Sequence, residues 1–148
     1  LVDDGVLPEQ IAVLSLAGQT KTVFGNASRI GSYEAVRADD ENAGKKLVAD
    51  TFLRFKGLER PWIIVTELGL ATTAYEVRMH IALTRATVGC IVLATPEEAE
   101  RDPHLRAIAN KRPEERGAGR SPHPRLRAFG AGMTTANVDC GKRLAPRA

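Results

Sequence analysis

Short apolar runs alternate with polar stretches along this chain, and each run has the length of a buried strand. IAVLSL at 11–16 follows Pro8, which keeps a helix from running into it. LVADTF at 47–52, WIIVTEL at 62–68 and CIVLA at 90–94 are again continuous and rich in Val, Ile and Leu. AYEVRMHIALTRAT at 74–87 has no Gly or Pro and sets Tyr75, Met79, Ala82 and Ala86 at helical spacing, with Gly89 where a helix stop is expected. A further helix is expected to open with Thr95 as its cap, Pro96 in its first turn and Glu97 and Glu98 favouring its dipole, and to break and restart at Pro103. A short helix is expected from Gly18 to about Thr22, ending near Gly25, and RADDENAGKK at 37–46 reads as a surface loop. Strands of this kind, alternating with helices and loops, predict an α/β fold: a parallel sheet covered on both faces.

Beyond Lys111 the periodicity stops. RPEERGAGRSPHPRLRAFGAG is rich in Arg, Pro, Gly and Ala and offers little apolar surface against an ordering cost of ~1–2 kcal/mol per residue, so 111–148 is expected to be a largely disordered tail. Charge divides at the same place. Residues 1–110 carry twelve Lys/Arg against fifteen Asp/Glu, and 111–148 carry nine against three. The basic pI of about 9.1 therefore belongs to the tail, and a nucleic-acid role for 1–110 has to rest on motifs. With 148 residues, 43% hydrophobic and 5% aromatic, one domain with an aliphatic core is expected. Cys90 and Cys140 are too few and too far apart for a disulfide framework or a zinc site. No run approaches the ~18 apolar residues of a membrane span, and no signal peptide is visible, so a cytoplasmic protein without a membrane partner is expected. The chain starts at Leu1, which reads as part of a longer open reading frame.

Chemistry concentrates in two places. In DTFLRFKGLERPWIIV, Lys56, Gly57 and Glu59 stand immediately before an apolar strand. A solvated turn would carry such charges. So would a nucleotide site, with Gly57 turning the backbone and Glu59 accepting hydrogen bonds from a sugar hydroxyl. The second place is Arg85 in IALTRAT, an arginine within an apolar helical pattern. Such an arginine either snorkels or pairs, or it reaches a phosphate across a domain boundary. AGQTKT at 17–22 is not a phosphate loop, because Gly18 has no second glycine before Lys21, and no other stretch supplies one.

The order strand, Thr-x-x-x-x-Lys-Gly-Leu-Glu, strand, helix, ALTRA, strand resembles motifs V and VI of superfamily 1 helicases, the UvrD/Rep-like enzymes, in their second RecA-like domain. PEQIAVLS resembles the strand leading into motif IV, and the likeness covers roughly 6–96. It implies a RecA-like, P-loop NTPase-type sheet with flanking helices over 1–110, ATP with Mg2+ bound against an N-terminal RecA-like domain absent from this chain, and single-stranded DNA (or RNA) as partner. Gly57 and Glu59 would then bind nucleotide, and Arg85 would be the catalytic finger on the γ-phosphate. Thr51 and Arg54 would contact the nucleic-acid backbone, and Mg2+ would be held mainly by the missing domain. The charged turn is expected at the carboxyl end of a parallel strand, where α/β sheets place ligands. Without a Walker A the chain alone is expected to be inactive. The sequence departs from the family at Leu53, where motif V often has His, at Ser15, where motif IV often has Arg nearby (Lys21 is the nearest substitute), and at His80, where motif VI usually has Tyr. The alternative is a degenerate RecA-like module acting as a non-catalytic binding or structural unit.

Overall fold

A computed structural model of the chain describes residues 1–110, 127–129 and 133–138. It contains eight strands: β1 (Ile11–Ser15), β2 (Arg29–Ile30), β3 (Tyr33–Val36), β4 (Leu47–Thr51), β5 (Arg60–Thr66), β6 (Ala86–Ala94), β7 (Arg127–Phe129) and β8 (Met133–Val138). Three helices, α1 (Tyr75–Leu83), α2 (Pro96–Arg101) and α3 (Pro103–Asn110), complete it. All strands join one sheet in the order β2-β3-β4-β1-β5-β6-β8-β7. The five central strands, β3 to β6 in space, run parallel, and β2, β8 and β7 are antiparallel additions at the two edges. This is an α/β fold with a mixed, mostly parallel sheet.

The apolar runs form strands because every residue of β1 and of β4 is buried. Their side chains alternate between two cores. Ala12, Leu14, Val48, Ile63, Val65, Cys90 and Val92 face one way and pack with Ala82 of α1, Ala99 of α2 and Leu105 of α3. Ile11, Val13, Ala35, Leu47 and Ala49 face the other way, where Leu1, Val2, Val6 and Phe24 pack on them instead of a helix. Among the described residues the α-helices thus lie on one face of the sheet, where the sequence pattern led to an expectation of cover on both.

Four expectations change. The segment after Gly18 forms turns and a 3-10 turn at Val23–Asn26 rather than a helix, because the Thr22 hydroxyl captures the Phe24 N–H at 3.2 Å and no apolar stripe holds a longer helix down. Helix α1 stops at Leu83, not near residue 87: the Thr84 hydroxyl donates back to the Ile81 carbonyl at 3.0 Å, and β6 begins at Ala86 by pairing with Arg60. Gly89 therefore lies inside a strand, opposite Trp62. The indole fills the space where a Cβ would stand, only 2.5 Å from Trp62 Cζ3, so this glycine makes room for a ring and does not stop a helix. Lastly, 127–129 and 133–138, assigned to the disordered tail, are strands, with β8 pairing along Cys90–Ala94 of β6 and closing its edge. The rest of that assignment, and Cys140, lie outside the described residues. Strands β2 and β3 form a small hairpin that the apolar pattern did not announce, since only Ala35 of the six residues is buried.

The break at Pro103 is as expected. Thr95 and Glu98 form a capping box on α2, and the Asp102 carboxylate accepts from the His104 and Leu105 N–H groups at 2.8 and 3.1 Å to start α3. Its other oxygen accepts from the Tyr75 hydroxyl at 2.6 Å, tying the start of α1 to the α2–α3 junction.

Candidate functional site

Parallel strands give the sheet an amino edge and a carboxyl edge, and the candidate residues divide between them. The chain leaves β4 at the carboxyl edge and must re-enter β5 at the amino edge within eight residues, without a helix. It descends by successive turns, Phe55 N–H to Thr51 O at 3.1 Å, Lys56 to Leu53 at 3.2 Å and Leu58 to Phe55 at 3.1 Å. Buried Phe52 and Phe55 pin the descent to the core. Gly57 takes φ +87°, a left-handed conformation that only glycine adopts without strain, although nothing stands near its α-carbon to exclude a side chain. The turn delivers Glu59, exposed, to the amino end of β5. The charged turn therefore lies at the amino end of β5 and not at the carboxyl edge where it was expected, while Thr51 and Arg54 lie at the carboxyl end of β4.

Arg85 reaches the same amino edge from the other direction. Helix α1 ends, Arg85 follows, and β6 begins. The Arg60 N–H donates to the Arg85 carbonyl at 3.0 Å, and Arg60 pairs with Ala86, so Glu59 and Arg85 are the neighbouring residues just ahead of two paired strands. Residues 26 positions apart are thereby brought together by register alone. The Arg85 guanidinium folds back on its own helix, donating from Nε to the Ile81 carbonyl and from Nη2 to the Thr84 hydroxyl, both at 3.3 Å. The first of these contacts caps a carbonyl at the negative end of α1.

At the carboxyl edge Thr51 and Arg54 are committed to the fold. Thr51 is buried, and its hydroxyl accepts the Arg54 N–H at 3.4 Å. Arg54 lies between Asp50 and Asp39, with Nε 3.1 Å from Asp50 and Nη2 on Asp39. The hydrogen bond from Arg54 holds the Asp39 carboxyl below its ordinary range, and the bonds to Asp39 and Asp50 raise Arg54 in turn. Asp50 is the organising group, although sequence reasoning passed over it. Its buried carboxylate also accepts from the Ala38 and Thr51 N–H groups at 3.0 and 2.7 Å, fastening the 37–46 loop to the end of β4. A single acid inside an apolar strand was the available signal.

Glu67 was missed too. It stands just past β5 at φ +53°, and its carboxylate accepts from the Thr22 hydroxyl at 2.7 Å and the Val23 N–H at 3.0 Å, anchoring the 18–26 loop over this edge. Of the family departures, Ser15 is buried with its Oγ taking the Ala17 N–H at 3.0 Å, while Lys21, Leu53 and His80 are exposed. Beside the anchored loop lies an open concavity of about 570 Å³, lined by Gln19, Thr20, Thr22, Gly25, Asn26 and Arg37. A second, of about 410 Å³, continues from Gly25, Asn26 and Arg37 along β3. Neither includes Glu59 or Arg85.

Among the described residues no three His, Cys, Asp or Glu side chains gather as a metal site, and no helix is long and apolar enough to cross a membrane. In comparisons with known proteins, no family model, no characterised protein and no solved structure matches this chain.

Proposed function

We propose that this chain is the C-terminal, RecA-like motor domain of an ATP-dependent superfamily 1 helicase or translocase acting on single-stranded DNA. The observation that carries the reading is the pairing of β5 with β6, which sets Glu59 and Arg85 side by side at one edge of the sheet. A residue whose carboxylate suits a ribose hydroxyl and one whose guanidinium suits a γ-phosphate, on neighbouring strand ends, are what half of a nucleotide site requires. An N-terminal RecA-like domain would supply the phosphate loop and hold most of the Mg2+ coordination, and ATP would lie between the two. Domain closure would draw Arg85 off the end of α1 onto the phosphate. The two 3.3 Å hydrogen bonds it gives up are partly exposed and therefore cheap to break. There the planar guanidinium would offset charge developing on the transferred group. Thr51 and Arg54 enter this reading through the loop they shape, with any contact to the strand falling to the Arg54 N–H groups left outside its two ion pairs.

The test uses the enzyme carrying both motor domains. Arg85→Ala and Arg85→Lys should each lower ATP turnover by about a thousandfold or more, because an ammonium does not reproduce the forked guanidinium, while the melting temperature stays near the parent's. Near-parental turnover, or simple unfolding, would refute the reading. The second reading, a non-catalytic RecA-like module, is favoured by the position of the guanidinium as a cap on α1, and it predicts that outcome.

A further inference from the structure

The concavity beside the 18–26 loop belongs to no part of the nucleotide reading, and it has features of its own. Arg37 follows β3 at the carboxyl edge and lines both stretches of the concavity. It is half-buried, and its guanidinium has no hydrogen bond or ion pair among the described residues, though its charge helps hold Asp39 low. Asp39 itself is engaged by Arg54. The larger stretch, about 570 Å³, has no carboxylate in its lining, and Gln19, Thr20 and Asn26 add neutral donors around the guanidinium. Its volume lies in the range of small-molecule sites, well beyond a bare ion.

The wall is also fixed before any ligand arrives. Glu67 grips Thr22 and Val23, and the Thr22 hydroxyl caps the Phe24 N–H, so the loop meets a ligand already shaped. The loop that shapes it leaves the carboxyl end of β1 and is held by Glu67 just past β5, and from these two ends the chain departs towards β3 and towards β6, in opposite directions across the sheet. Open parallel sheets form their ligand crevice at such a divergence.

We infer that this concavity is a phosphate-binding site centred on Arg37, taking the phosphate of a nucleotide-sized ligand or of a single strand crossing the edge. Arg37 supplies a fork of charged donors, and the Gln19 and Asn26 amides and the Thr20 hydroxyl complete the shell. The site is on the opposite edge of the sheet from Glu59 and Arg85, so it stands or falls separately from the motor reading.

The experiment is a backbone-amide NMR titration of the full chain with AMP, adenosine and a short oligothymidylate, repeated with Arg37→Gln and Arg37→Lys. The guanidinium makes no hydrogen bond or ion pair among the described residues, so both variants should fold, and circular dichroism checks that. Saturable shifts at Thr20–Asn26 with AMP, absent with adenosine and weakened about tenfold or more in Arg37→Gln but less in Arg37→Lys, are expected. Shifts with oligothymidylate alone would assign the phosphate to a strand and equally support the site. Equal shifts with adenosine, perturbations confined to the basic 111–148 region, or unchanged affinity in Arg37→Gln would overturn it.

Discussion

Replacing Gly89 with alanine adds one methyl group to the middle of β6, a strand in which alanine is ordinarily better than glycine. No left-handed backbone is involved, so the substitution alone would stabilise by about 0.4–1 kcal/mol through the unfolded chain. The structure predicts the opposite. The new Cβ would lie 2.5 Å from Trp62 Cζ3, 3.0 Å from Cη2 and 3.1 Å from Cε3. Carbon atoms rest ~3.5–4.0 Å apart, so the ring must retreat by about 1 Å or β6 must bend away from β5. Trp62 packs with Ile64 against the second core, and three of the indole carbons meet the methyl together, so no rotation of a flexible end relieves the contact. Overpacking of this kind costs about 1–3 kcal/mol, which exceeds the entropic gain and leaves a net loss of about 1–2 kcal/mol. For a domain of this size that lowers the melting temperature by roughly 4–10 °C. Thermal unfolding followed by circular dichroism measures it, with the same substitution made in a Trp62→Leu background as the control. With the ring gone the clash goes, and Gly89→Ala should then be neutral or stabilising. Should Gly89→Ala raise the melting temperature with Trp62 present, the packing of indole on glycine is wrong, and with it the register of β5 on β6 that places Glu59 beside Arg85.

Two more expectations follow from buried polar groups. Asp50→Ala strands two backbone N–H groups and the Arg54 Nε at once, and should cost about 2–4 kcal/mol in urea unfolding, with Asp50→Asn losing less because one oxygen still accepts; parental stability in the alanine variant would remove Asp50 from its organising role. Desolvation first, and the hydrogen bond to Asp102 second, raise the Tyr75 hydroxyl well above its ordinary value of 10.0, so its neutral form is favoured by the fold. That stabilisation is fully present below about pH 10 and is lost as the pH rises above it, because only the unfolded chain ionises there. Denaturation midpoints should accordingly fall above pH 10 less steeply in Tyr75→Phe than in the parent; identical slopes would show that Tyr75 is not shielded.

What could be read in the sequence was what local pattern determines. The core strands β1, β4 and β5 each carry a continuous apolar run, so their place needed little beyond hydrophobicity, and Pro103 marked the α2–α3 break by its missing N–H. The errors lie where a tertiary partner decided. Gly89 looks like a helix stop until Trp62 stands opposite it, and Thr84 to Thr87 read as helix until β5 offers a strand to pair with. The 18–26 loop is set by Glu67, more than forty residues away, which no window around Gly18 contains. At the candidate site, Gly57, Glu59 and Arg85 were singled out by type and order, and the edge of the sheet on which they lie was not anticipated. It depends on the chain crossing from β4 to β5 without a helix, which eight residues of mixed character do not announce.

The arginines around the sheet separate by how firmly each is held, and that ordering bears on which of them can serve a ligand. Arg54 has two carboxylates, one of them buried, and withdrawing it would leave Asp50 an unpaired interior charge costing several kcal/mol. Arg60 spends a guanidinium N–H on the Ala43 carbonyl and buries its Nε, so no solute reaches that nitrogen. Arg78 lies 5.9 Å from the centre of the Phe52 ring and 3.5 Å from the Leu16 carbonyl, where it covers the end of β1. Among the described residues Arg85 is tethered by two long hydrogen bonds within its own turn, and Arg37 by none. A cation that must reorganise onto a phosphate pays first for what it leaves, so Arg54 and Arg60 are suited to fixing loops and Arg85 and Arg37 to meeting anions. The two most loosely held of these guanidinium groups stand at opposite edges of the sheet, Arg85 on the residue that neighbours Glu59 across paired strand ends, and Arg37 in a concavity whose larger stretch has no carboxylate and whose smaller stretch carries Glu34 and Asp40. Glu59 suits the hydroxyls that a nucleotide brings with its phosphate; the larger stretch around Arg37 sets no carboxylate against a phosphate and offers the neutral groups of Gln19, Thr20 and Asn26 to the rest of the ligand. The chemistry of the two edges therefore differs even where the cation is the same.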